Sequence, residues 1–245
     1  MMMNRDWQAE YDGRVAWIRG LVESSGVKGI VFGNSGGKDS ALVGILCKAA
    51  CDNTLGVIMP CASKRNFGID ADDGRAIAEQ YGIETRTVDL TAVREAELAA
   101  LDGVTDPTPL AVANIAPRLR MTTLYTIAAA EGRLVAGTGN RSEAYMGYFT
   151  KWGDGANDFN PIADLTATEI FDFLRWLNAP ASIVEKAPSA GLFDGQTDEA
   201  EMGVTYAAID QWLTEGTASD KDREIIERFH SRSEHKRKPI PTYPG

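Results

Sequence analysis

The sequence has little histidine, few cysteines, no long apolar run and no basic excess. Its 245 residues include two histidines and three cysteines, and no stretch of 18 apolar residues. That last absence excludes a membrane-spanning helix, which needs about 20 apolar residues. The opening MMMNRDWQAEYDG lacks the apolar region of a signal peptide, so a cytoplasmic protein with no membrane partner is expected. An odd number of cysteines without paired spacing is no disulfide framework. Cys47 and Cys51 lie one helical turn apart and Cys61 follows in a loop; with no histidine nearby, they read as buried thiols rather than metal ligands. Acidic residues outnumber basic ones, 35 to 25. This argues against nucleic acid as the main partner, because phosphate backbones want basic footprints. There is also no linker, internal repeat or low-complexity segment. The expectation is one domain over 1–245, near the upper end of what a single core supports.

What is present is an alternation. GIVFG, TLGVIMP, ETRTVDL and RLVAGTGN read as strands, separated by helical patterns in WQAEYDGRVAWIRGLVESSG, ALVGILCKAA, DADDGRAIAEQYG and RLRMTTLYTIAAAEG. Apolar strands alternating with helices predict an α/β fold with a doubly wound, mostly parallel sheet covered on both faces. After Asn160 the pattern turns helical. Thr166-Ala-Thr-Glu169 is a capping-box start, TYAAIDQWL and SDKDREIIERFH read as helices, and SAGLFDGQTDEAEMG reads as a loop.

Two glycine-rich stretches fall after strands, where ligands bind in such sheets. The first is VFGNSGGKDSALVG, Val31 to Gly44. A strand, then glycines, then a helix start makes an anion site, because free N–H groups and the helix dipole face the ligand. The Walker pattern does not fit. Only three residues separate Gly33 from Gly37, and Asp39 stands where its Ser or Thr would be. An aspartate in the first helical turn repels phosphate unless a divalent cation lies between, so a magnesium–polyphosphate site of another design is expected.

SGGKDS resembles the SGGxDS loop of the N-type ATP pyrophosphatases, which cut ATP between the α and β phosphates. LVAGTGNRSEAYMGYFTKWGDGANDFNPI (Leu134 to Ile162) resembles the ammonia-dependent NAD synthetases, and NIAPRLRMTTLY, SAGLFDGQTDEAEMG and EHKRK follow in that family's order. The resemblance implies an adenine-nucleotide α-hydrolase-like fold and a ligase. Its reaction joins ammonia to the nicotinate carboxylate of deamido-NAD through an adenylated intermediate, leaving NAD, AMP and pyrophosphate. It further implies that Gly33, Asn34, Ser35, Gly36, Gly37, Lys38, Asp39, Ser40, Thr138 and Ser189 bind ATP. Asp39 and Glu143 would bind Mg²⁺. Asn114, Arg118, Lys151, Asp158, His235 and Lys236 would bind deamido-NAD, and Asp154 the ammonium. A homodimer with the deamido-NAD site at the subunit interface belongs to the same expectation. His230 matches nothing in the family and reads as structural.

The departures carry information. Ala167 replaces a family lysine implicated in ATP binding, so either Lys38, Lys64 or Arg65 compensates or ATP binds less tightly. Pro117 should bend or begin the helix that carries Arg118. Glutamine-using relatives carry an extra amidase domain, so free ammonia is the expected nitrogen source. The alternatives are another AMP-forming pyrophosphatase and a nucleotide-binding module without catalysis.

Overall fold

The computed structural model describes residues 5–63, 67–185 and 197–244. Asp6 opens the first helix, α1 (Trp7–Ser25), by accepting from the N–H groups of Gln8 and Ala9, and Gly26 closes it at φ 68°. Strand β1 (Gly29–Gly33) then leads into α2 (Lys38–Ala50), β2 (Thr54–Ile58), α3 (Ile69–Tyr81) and β3 (Glu84–Thr87). Helices α4 (Thr91–Ala100), α5 (Pro109–Ala113) and α6 (Ile115–Glu131) precede β4 (Arg133–Ala136). Pro117 lies in the first turn of α6, where the missing N–H has no intrahelical acceptor anyway, so it begins the helix rather than bending it.

The four strands form one sheet in the order β3-β2-β1-β4, all parallel. The chain order reverses between β1 and β4, which opens a crevice at their carboxyl ends. Both glycine-rich stretches sit there. Beyond β4, Phe159 bridges Ala136 in parallel, so the segment after the second glycine stretch returns to the sheet edge. β1 and β2 are buried and apolar, as expected, whereas β3 is polar and largely exposed. It is the sheet edge, where one flank of the strand meets water.

One apolar layer joins α1, α2 and the sheet to α8 (Ala167–Trp176). A second packs α6 on the opposite face through Ala116, Leu124, Tyr125 and Ala128. The carboxyl-terminal part has its own cluster, built from α7 (Arg141–Met146), α10 (Asp198–Met202), α11 (Tyr206–Glu215) and α12 (Asp220–Arg232). Short helices α9 (Ala181–Val184) and α13 (Glu234–Arg237) complete the order. The expected loop at SAGLFDGQTDEAEMG lies partly outside the described residues; its end forms α10 instead. Cys47 and Cys61 are buried free thiols, and burial pushes both pKa values up.

Candidate active site

The glycine loop is held from below. Gly36 takes φ +71°, and a Cβ there would lie 2.0 Å from the Asp70 carbonyl oxygen of α3. Only glycine permits both that backbone conformation and that approach. The hydroxyls of Ser35 and Ser40 stand 3.0 Å apart, and Ser35 Oγ accepts from Gly37 N at 3.3 Å. Helix α2 has no side-chain cap, so its first N–H groups keep the character of an anion site. Asn34 is a structural member of the loop. Its N–H donates to Val57 O and its side-chain amide to Gly74 O, so it fastens the loop to β2 and α3.

Across the crevice, Asn140 organises the two carboxylates. Its side-chain amide donates to Asp39 Oδ1 at 3.0 Å. Its side-chain oxygen accepts from Glu143 N, and Glu143 Oε2 accepts from Asn140 N, each at 3.0 Å, which is a capping box on α7. The surrounding protein, and next the charge of Asp39, push the Glu143 carboxyl well above its usual range. Lys38 Nζ donates to Asp39 Oδ2 at 2.6 Å. Two mutually repelling carboxylates with oxygen donors fit a hard divalent cation that takes its remaining ligands from phosphate and water. No group of three histidine, cysteine or acidic side chains suited to a metal occurs among the described residues. Thr138 is half-buried in the loop between β4 and α7. Ser189, Lys64 and Arg65 lie outside the described residues.

A second group assembles beside α6. Thr150 Oγ1 donates to Asn114 Oδ1 at 2.5 Å, and Arg118 Nη2 approaches Lys151 O at 3.4 Å. Asp154 Oδ1 accepts from Thr150 N at 2.9 Å. Trp152 makes this turn possible by adopting φ 60°, a costly conformation for a bulky residue, with its ring left exposed. Asp154 lies low among protein atoms that push its carboxyl upward, yet its surface stays open to water, which moderates the effect. Asp158 is exposed, with each carboxylate oxygen accepting one bond from the chain. It accepts from Tyr125 OH at 3.1 Å and from Val135 N at 2.8 Å.

The basic end of the chain forms a strap over this group. Lys236 Nζ donates to the carbonyls of Gly147 and Phe149 at 2.7 and 2.5 Å, and Lys151 Nζ donates to His235 O at 2.8 Å. Arg237 and Ser233 bond Tyr145 O and Met146 O in the same manner. His230 is structural, as expected. Its Nδ1 lies 2.9 Å from Tyr145 O, and its ring stacks on Tyr145 at 4.0 Å.

Two site residues escaped the sequence reading. Asn140 was detectable, because Asn-x-x-Glu before a helix is a capping pattern. Arg120 was not. Two residues beyond the exposed Arg118, it points the other way, donates Nε–H to Met59 O at 3.0 Å and feels the charges of Asp154 and Asp70.

The parallel sheet, its switch point and the glycine loop define the class: an α/β protein with an adenine-nucleotide α-hydrolase-like fold. The sequence model of the NAD synthase family matches residues 10–240, and the chain belongs to that family of ligases. It is 45% identical over 245 residues to the NH(3)-dependent NAD(+) synthetase of Carboxydothermus hydrogenoformans, covering 99% of each chain. Among solved structures, the NMN synthetase of Francisella tularensis superposes with a TM-score of 0.93 at 37% identity, covering 99% of this chain and 100% of that one. The NH3-dependent NAD synthetase of Campylobacter jejuni, in complex with nitrate, gives 0.78 at 28%, covering 98% and 100%. No described helix is long and apolar enough to cross a membrane.

Proposed function

We propose that this chain amidates the nicotinate carboxylate of deamido-NAD with ammonia, driven by cleavage of ATP to AMP and pyrophosphate. The observation that carries the reading is the Asp39–Asn140–Glu143 network, placed beside a glycine loop at the adjacent ends of β1 and β4. A carboxylate oxygen is a poor leaving group, so transfer of AMP onto it precedes attack by ammonia. Ser35, Gly36, Gly37 and Ser40 hold the departing phosphates, with Thr138 and Ser189 completing the ATP contacts. Asp39 and Glu143 would hold Mg²⁺, which when bound neutralises the polyphosphate charge. Asn114, Arg118, Lys151, Asp158, His235 and Lys236 bind and orient the dinucleotide, with the strap residues acting across a dimer interface. Ammonium enters from solvent at Asp154, whose raised carboxyl makes it a better proton acceptor than an ordinary aspartate.

Incubation with ATP, Mg²⁺, ammonium and deamido-NAD should yield NAD, AMP and pyrophosphate in equal amounts. Asp39→Asn and Glu143→Gln should each cut turnover by at least ~100-fold with the fold intact, because each removes a charge facing the cation. Near-normal turnover in both would refute the metal assignment.

A second reading has one observation in its favour. The NMN synthetase superposes better than the NAD synthetase of Campylobacter jejuni, with a TM-score of 0.93 against 0.78. The same chemistry on nicotinate mononucleotide would give nicotinamide mononucleotide. Competition between the two acids in one assay decides, through the ratio of their kcat/KM values.

A further inference from the structure

Lys38 and Asp39 are consecutive residues of α2, whose side chains leave the helix about 100° apart. Even so, the lysine doubles back to place its ammonium 2.6 Å from Asp39 Oδ2. Asp39 Oδ1 accepts from the Asn140 amide, and the ammonium sits on the other oxygen, Oδ2. It is a deeply placed cation, with its side chain only 5% exposed. The rings of Phe171 and Tyr206 face it at 5.7 and 5.4 Å. Its counter-charge is the Asp39 carboxylate at 2.6 Å. Of its three donors, only the one to Asp39 has a hydrogen-bond acceptor among the described residues.

A divalent cation held by Asp39 and an ammonium on the same carboxylate would repel each other strongly at such range. The ammonium is held away from bulk water, its side chain 5% exposed beside the two aromatic rings. We infer that Lys38 is an exchangeable counter-ion. Its ammonium occupies Asp39 Oδ2 in the unliganded chain, and it moves onto the polyphosphate when metal and phosphates arrive together. The glycine loop lies next in sequence, and phosphate oxygens there supply the acceptors that the ammonium lacks. Metal alone is thereby disfavoured and metal with polyphosphate favoured. This inference rests on the proposed metal role of Asp39 and Glu143.

The test uses Mn²⁺ as the metal and inorganic pyrophosphate as the polyphosphate, with binding followed by electron paramagnetic resonance on the full chain. Lys38→Met should bind Mn²⁺ alone on the order of tenfold more tightly than the unaltered protein, since a competing charge is gone. It should bind pyrophosphate, at saturating Mn²⁺, on the order of tenfold more weakly, since a charge-assisted contact is lost. Lys38→Gln serves the same comparison should the methionine variant fail to fold. Equal or weaker Mn²⁺ binding in the variant overturns the inference, and so does tighter Mn²⁺ binding with unchanged pyrophosphate affinity. If neither protein binds Mn²⁺ while Asp39 is intact, the metal reading itself fails and takes the inference with it.

Discussion

At the scale of single residues, the site is made of groups held in conformations they would not choose alone. Gly36 is the sharpest case. Gly36→Ala forces a left-handed alanine and drives its methyl onto the Asp70 carbonyl. The expected cost is about 3 kcal/mol, read as a fall in melting temperature and accompanied by loss of ATP binding. Asp154 has the opposite character. Its carboxyl titrates higher folded than unfolded, so the native state holds more protons across that window. Stability therefore falls as pH climbs from the ordinary carboxylate range through the raised one. Asp154→Asn should remove this penalty, raising stability above the raised range by an amount that solvent access keeps small, and by nothing in acid. Adenylation should persist in a first turnover while amidation falls steeply. Equal loss in both half-reactions would make Asp154 positional.

Elements do the placing. The capping box of α7 brings Glu143 to Asp39, and it was visible as Asn140 to Glu143 in the sequence. The role of α13 was not. By composition, HKRK reads as a solvated helix end, or, from the family resemblance, as a phosphate contact. In the fold, Lys236 is turned to the carbonyls of Gly147 and Phe149, and its charge also lowers the Asp154 carboxyl. Lys236→Ala should destabilise by about 2 kcal/mol, because two charge-assisted bonds to backbone are lost. It should also move the acidic limb of the amidation rate to higher pH, since Asp154 loses a neighbouring cation. A pH profile of amidation checks this; an unmoved limb would make the strap purely structural.

Across the whole molecule, the sheet brings distant segments to one crevice, and α6 flanks it with a partly exposed face. The proposed dimer would complete the dinucleotide site there. Stable twofold interfaces often bury more than ~2,000 Å² and are self-complementary. Sedimentation under assay conditions should therefore give twice the 26.5 kDa of one chain. A fully active monomer would confine the site to a single subunit.

Local signals by themselves determined the strands at Gly29–Gly33 and Thr54–Ile58, the helix stops at Gly26 and Gly82, and the glycine loop ahead of Asp39. Each rests on periodicity, a cap or a φ preference, and these act over a few residues. The exposed edge position of β3, the inward turn of Arg120, the scaffolding role of Asn34 and the strap formed by Lys236 were decided only in the tertiary structure. These depend on which strand ends the sheet and which distant carbonyl needs a donor. A chain settles such matters only by folding, because pairing and burial are properties of segments brought together.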